Sequence, residues 1–148
     1  MANFISEGID AFDIIGISVW TTNKDGRSQK DIGELWARFM REGVMEKIPG
    51  KKSADIYCVY TDYETDFNGA YTTIIGCRVN TPERIPEGMA GKTIPAARYK
   101  VYTSSGEMPK ALMETWKMIW DSDIDRAYTA DFDLYGADPV VKTYISVK

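Results

Sequence analysis

Apolar positions along this chain alternate between two spacings, and each change of spacing marks out an element. "IDAFDIIGISVWTT", Ile9 to Thr22, is dense in β-branched and aromatic residues and reads as a strand, with Gly16 as an expected bulge. The polar "NKDGRSQ" turns the chain. Over "KDIGELWARFMREGVMEKI" the pattern shifts to helical spacing, with Ile32, Leu35, Trp36, Phe39 and Met40 on one stripe and Asp31 as the expected N-cap. Pro49-Gly50 ends that segment. "ADIYCVYTDY" and "GAYTTIIGCRV" predict two strands, joined by "ETDFNG" with Asn68-Gly69 at a hairpin turn. The Pro- and Gly-punctuated "NTPERIPEGMAG" leads into a second series. There, "KTIPAARYKVYTSS" predicts a strand in which Pro95 implies an edge position or a break. "MPKALMETWKMIW" predicts a helix with Pro109 in its first turn and Leu112, Trp116, Ile119 and Trp120 as its apolar stripe. "AYTADFDLYG" and "VVKTYISVK" close the chain as strands.

Both series therefore read strand, helix, strand, strand. Local strings echo that order: "ELW" at Glu34 to Trp36 matches "ETW" at Glu114 to Trp116, and "ADI" at Ala54 to Ile56 matches "ADF" at Ala130 to Phe132. The expected fold class is α+β: two βαββ units, approximately residues 8–80 and 91–148, in one domain over residues 1–148. Related by a pseudo-twofold, such units pack helices on an antiparallel sheet and leave a cleft at the axis, a common place for a ligand.

Composition narrows the chemistry. The 148 residues carry a net charge of −4, and Lys51-Lys52 is the only adjacent basic pair, which disfavours a nucleic-acid partner. Histidine is absent, so Ser-His-Asp and Cys-His catalysis fall away, together with most zinc sites. No phosphate-cradling glycine loop is present, and no cofactor or metal is expected. Cys58 and Cys77 sit in strand-like runs that suit buried, reduced thiols, with no activating base for Cys58. The N-terminus lacks the basic start and apolar run of a leader, and no apolar stretch approaches ~20 residues. The expectation is a cytoplasmic protein without membrane association.

The informative stretch is "ADFDLYG". Alternation along a strand puts Phe132 and Leu134 on one face and Asp133 and Tyr135 on the other. An acid at such a place either meets water, pairs with Arg78 or Lys142, or waits in a pocket for a cation. Tyr144 and Ser146 alternate along the last strand and are candidates for the same cavity or for plain packing. Trp36 and Trp116 hold matched places, as helix core or as flanks of the cleft, whereas Trp120 and Phe39 read as core. Tyr57, Tyr60 and Tyr71 lie on the central hairpin, and the "ADI"/"ADF" match sets Tyr57 against Asp133. Glu34 and Glu114 read as exposed helix charges, and Asp62-Tyr63-Glu64 as solvated turn chemistry.

Taken together, "FDIIGISVWTT", "KDIGELWARF", "YTDYETDFNGAYTTIIGCRV", "IPEGMAGKTIPAARYKVYTSSGEMPKALMETWKMIW" and "ADFDLYG" resemble the GyrI-like family. This is the effector-binding (SHS2-dyad) fold also found at the C-terminus of AraC-type and MerR-type regulators, and the likeness is greatest to stand-alone YdeE-like members. The resemblance implies an aromatic-lined pocket for amphipathic, often cationic, small molecules, with a buried acid that meets the ligand's charge. It places that acid at Asp133, where the family pattern has Glu, between Phe132 and Tyr135. It also marks Arg78 as a departure, since related chains often carry Glu there; Arg78 is then a modifier of ligand charge or a neutraliser of Asp133. The expected ligand-binding set is Asp133, Tyr135, Trp36, Trp116, Tyr57, Tyr71, Tyr144, Ser146 and Arg78. The leading expected function is binding or sensing of a lipophilic cation or planar aromatic molecule without catalysis. Hydrolysis of electrophilic xenobiotics by the pocket acid comes second, and inhibition of a protein partner third.

Overall fold

The computed structural model describes residues 4–65, 69–80, 85–107, 110–136 and 140–148. The expected turn position Asn68, the helix-start Pro109 and residues 81–84 of the connection lie outside them. The elements run β1 (Phe4–Ile9), β2 (Phe12–Thr22), α1 (Arg27–Arg41), α2 (Val44–Lys47), β3 (Ile56–Thr61), β4 (Ala70–Val79), β5 (Ala90–Ile94), β6 (Ala97–Ser104), α3 (Lys110–Trp120), β7 (Ala130–Tyr135) and β8 (Val141–Val147). All eight strands join one antiparallel sheet in the order β1-β6-β8-β7-β3-β4-β2-β5. The fold class is α+β, as the sequence indicates.

The strand order has an internal symmetry. Exchanging β1 with β5, β2 with β6, β3 with β7 and β4 with β8 returns the same order. The seam is β3 against β7, where Cys58 faces Asp133 across the ladder. The outermost strands are exchanged: β1 pairs with β6 of the later series, and β5 with β2 of the earlier one. β1 was not foreseen, because its pairing partner lies far along the chain. Pro95 acts as a break, separating β5 from β6.

Gly16 is no bulge. It pairs in regular register with Gly76, and a Cβ on either residue would lie 2.1 Å from a carbonyl oxygen of the other strand. The two glycines let β2 and β4 approach closely. Asp31 is no cap either, since α1 begins at Arg27 after Gly26; inside the helix its carboxylate accepts from Thr21 Oγ1 at 2.8 Å.

The sheet curls tightly. Phe12 on β2 and Phe132 on β7 are three strand spacings apart, ~14 Å on a flat sheet, yet their ring centroids are 5.5 Å apart. Inside the curl Phe12, Tyr57, Tyr99, Phe132 and Tyr144 form an aromatic core with Ile14, Val59 and Ile94. On the outer face α1 and α2 cover Ile15, Ile17, Ile75 and Cys77 with Leu35, Phe39, Val44 and Ile48. The helix α3 covers Tyr102 and Ile145 with Ile119. Met40 and Trp120, expected on buried stripes, are exposed, because each helix presents a wider apolar stripe than the sheet beneath it can cover. Among the described residues no helix is long and apolar enough to cross a membrane.

Candidate functional site

Strand parity decides what meets Asp133. On β7, Asp133 and Tyr135 point to the outer face, toward Trp116 of α3 and Trp36 of α1, while Phe132 points into the curl. Asp133 has no exposed surface. Its Oδ1 accepts from Thr143 Oγ1 at 2.6 Å and from Trp116 Nε1 at 3.1 Å; its Oδ2 accepts from Tyr60 Oη at 2.8 Å and from the same indole at 3.2 Å. Each donor is placed by an element: Tyr60 by β3, Thr143 opposite Asp133 on β8, and Trp116 by α3. Burial pushes the Asp133 carboxyl up to about 6, against the pull of Thr143, Tyr60 and Trp116, with the nearby Asp131 adding a smaller upward push. None of its donors is a cation.

Aromatic rings surround this carboxylate. Trp36 meets Tyr135 edge-on at 5.0 Å, Tyr60 meets Trp116 at 5.4 Å, and Tyr71 lies 6.2 Å from Tyr60. Trp36, Tyr60, Trp116 and Tyr135 are half-buried, so the rings form a wall between the two helices with the acid beneath it. The Cys58 thiol donates to Tyr60 Oη at 3.4 Å, which leaves the phenol proton for Asp133, and Trp36 packs against the same cluster as that thiol. Burial, with the nearby Asp133 charge, pushes both the Cys58 thiol and the Tyr60 phenol well up.

A second buried acid lies two residues away. Asp131, also without exposed surface, pairs with Arg126 Nη2 at 2.7 Å and accepts from the Tyr63 hydroxyl on the same oxygen. Its other oxygen accepts from the Ser146 backbone N–H at 2.8 Å and from Ser146 Oγ at 3.1 Å. Arg126 also lies 4.4 Å over the Tyr128 ring, and Tyr128 holds a left-handed backbone (φ 54°).

Of the residues singled out from sequence, the outer face brings together Asp133, Tyr135, Trp36, Trp116 and Tyr71. Tyr57 and Tyr144 stand on the opposite face: Tyr144 stacks on Phe132 at 4.5 Å, and Tyr57 packs beside Phe12. Arg78 shares that inner face, 4.9 Å over the Phe12 ring, so the sheet itself separates it from Asp133. Ser146 serves Asp131, and Lys142 is exposed. The position facing Asp133 in the earlier series is Cys58, not Tyr57. Tyr63 is not mere turn chemistry, since it closes on Asp131. Tyr60, Thr143, Cys58, Asp131 and Arg126 lie outside the expected ligand-binding set. Strand parity carried through the β7–β8 pairing finds Thr143, because one residue of slip exchanges the faces. Among the described residues no group of His, Cys, Asp and Glu is arranged to hold a metal ion.

Known proteins place this geometry. The family model described as Cass2, integron-associated effector binding protein, matches residues 7–147. YobU of Bacillus subtilis, a candidate transcriptional regulator protein, is 27% identical over 151 aligned positions, covering 95% of this chain and 94% of its own length. The transcriptional regulator BrlR of Pseudomonas aeruginosa is 28% identical over 132 positions, which span 84% of this chain and 45% of BrlR. Among solved structures, an integron cassette protein from the mobile metagenome of Vibrio cholerae superposes with a TM-score of 0.77 at 28% identity, over 98% of this chain and 95% of its own. SAV2435, solved bound to tetraphenylphosphonium, superposes at 0.83 with 18% identity, over 99% of this chain and 94% of its own, a likeness of fold.

Proposed function

This chain belongs to the Cass2 family of integron-associated effector-binding proteins, and from that premise we propose that it binds an amphipathic cation at the aromatic wall between α1 and α3. The observation that carries the proposal is the contrast within β7: Asp131 has a cation of its own, and Asp133 has none. A carboxylate buried without a counter-charge is costly, and an incoming cation offsets that cost. At ~4 Å and an effective dielectric near 20 the attraction is of order 4 kcal/mol before desolvation. Ring faces from Trp36, Tyr135 and Trp116 each add ~0.5–2 kcal/mol of cation–π attraction. Trp116 and Tyr60 sit over the carboxylate with their donors turned to it, so the guest's charge acts on it across the ring wall. The bound tetraphenylphosphonium of SAV2435, an aromatic cation on the same fold, supports the same chemical class for the ligand here.

Binding is favoured over hydrolysis by the state of the carboxylate. A general base must reach a water, and both oxygens of Asp133 are already engaged by protein donors. The test is quenching of tryptophan fluorescence by tetraphenylphosphonium at pH 8, with triphenylphosphine oxide as the uncharged comparator. The cation is expected to bind at least tenfold tighter than the comparator, and Asp133→Asn to abolish that advantage. Equal binding of the cation by the Asn variant overturns the proposal.

A further inference from the structure

Resting on the reading of Asp133 as the ligand's counter-charge, we infer that Thr143, Tyr60 and Trp116 form a donor collar that makes the site select cations without N–H donors over primary ammonium and guanidinium groups. An ionised carboxylate offers about four acceptor positions. At Asp133 four contacts from three neutral groups use them: Thr143 and the indole on Oδ1, Tyr60 and the indole on Oδ2. Asp131 gives the internal comparison. There the Arg126 guanidinium holds one of the four positions, beside Tyr63 and the two Ser146 donors. The same strand thus carries one acid arranged to grip an N–H cation and one whose grip is already taken.

The consequence follows from the cost of unmet donors. A primary ammonium brings three N–H groups that water satisfies in solution; behind the collar no oxygen of Asp133 is open to them, and a buried donor without an acceptor is penalised. Tyr60 Oη is a poor substitute, since it donates to Asp133 and already accepts from Cys58. A quaternary ammonium or phosphonium brings charge alone. It needs proximity to the anion and contact with ring faces, which is what the wall of Trp36, Tyr135 and Trp116 supplies. Thr143 and Asp133 are both fully buried and face one another across the β7–β8 ladder, so the ladder fixes the Thr143 hydroxyl against the carboxylate.

The experiment compares 4-phenylbutyltrimethylammonium with 4-phenylbutylammonium by tryptophan quenching at pH 8, where both probes are charged. The wild-type protein is expected to prefer the trimethylammonium probe at least tenfold. Any aromatic cleft favours the less hydrated head group to some degree, so the collar is read from the variants. Thr143→Val removes one donor at constant shape and is expected to cut the preference at least threefold by strengthening the primary amine, whereas Thr143→Ser keeps it. Tyr60→Phe, which opens a position on the other oxygen, is expected to act in the same direction and serves if the Thr143 variant fails to fold. Equal affinities in the wild type, or a preference that neither substitution changes, overturn the collar while tetraphenylphosphonium still binds. Failure of tetraphenylphosphonium itself overturns the binding reading, and the collar with it.

Discussion

The two helices that sit on the outer face of the sheet occupy matched places and do different work. The earlier one, α1, buries Leu35 and Phe39 and is sealed by Val44 and Ile48 from α2 and the chain after it. The later one, α3, buries Ile119 alone among its described residues, against Tyr102 and Ile145, leaves Met113 and Trp120 exposed, and also meets the sheet through polar contacts, among them Thr115 with Ser104 at 2.6 Å. The seam repeats the contrast: where the earlier series has the Cys58 thiol, the later one presents the Asp133 carboxylate to Trp116. One side therefore supplies dry packing, and the other carries a charged group under a lightly held cover. The difference teaches that a symmetric strand order can carry dry packing on one side and a buried charge on the other.

The comparison breaks most visibly in stability. Phe39→Ala removes a fully buried ring from the α1 side and is expected to cost ~3–5 kcal/mol, whereas Trp120→Ala on α3 is expected to stay within ~0.5 kcal/mol. Urea unfolding of both variants measures the pair. A Trp120 variant as damaging as the Phe39 variant would mean that α3 is anchored as firmly as α1.

The next effect separates Cys58 from Asp133 by pH. The Asp133 carboxyl, pushed from 3.8 up to about 6, holds its proton more tightly folded than unfolded. Stability from this group is therefore full below about pH 4 and is lost as pH rises through about 6, a change of roughly 3 kcal/mol at ~1.4 kcal/mol per unit. Cys58 contributes nothing in that window, since its thiol is pushed well above its ordinary range. Asp133→Asn is expected to flatten the profile between pH 4 and 7 and to leave the protein no less stable at pH 7.5. A slope that survives the substitution assigns the titration to another group.

How much of this was legible in the sequence depends on what each feature rests on. Leu35, Trp36 and Phe39 were found by spacing, and the break at Pro95 by its missing donor, because both are local properties. Asp133 was found through alternation together with a family resemblance. Of its donors, Trp116 belongs to the expected set, whereas Tyr60 and Thr143 do not, because their facing Asp133 depends on register. Tyr144 was chosen where Thr143 lies, a shift of one residue that carries a side chain to the other face. Tyr57 was matched to Asp133 by aligning strings, yet a twofold axis normal to a sheet preserves faces, so its true counterpart is Cys58. Arg126 sits in an irregular segment without periodicity, and only the coordinates bring it to Asp131.

The smallest effect tests the chain of donors itself. Tyr60 Oη–H helps to hold Asp133 ionised, and the Cys58 thiol holds that phenol in its donating orientation. Tyr60→Phe keeps the ring against Trp116 but removes one charge-assisted hydrogen bond, worth ~1 kcal/mol net. The Asp133 titration should then move upward by about half to one pH unit. Because a cation binds the ionised form, affinity for tetraphenylphosphonium should fall as pH drops through about 6 in the wild type and begin its fall at higher pH in the variant. Cys58→Ala, which leaves the phenol in place and frees its orientation, should move the same midpoint by less. If both variants keep the wild-type midpoint, the group that governs binding is not joined to β3, and the asymmetry across the β3–β7 seam has no part in recognition.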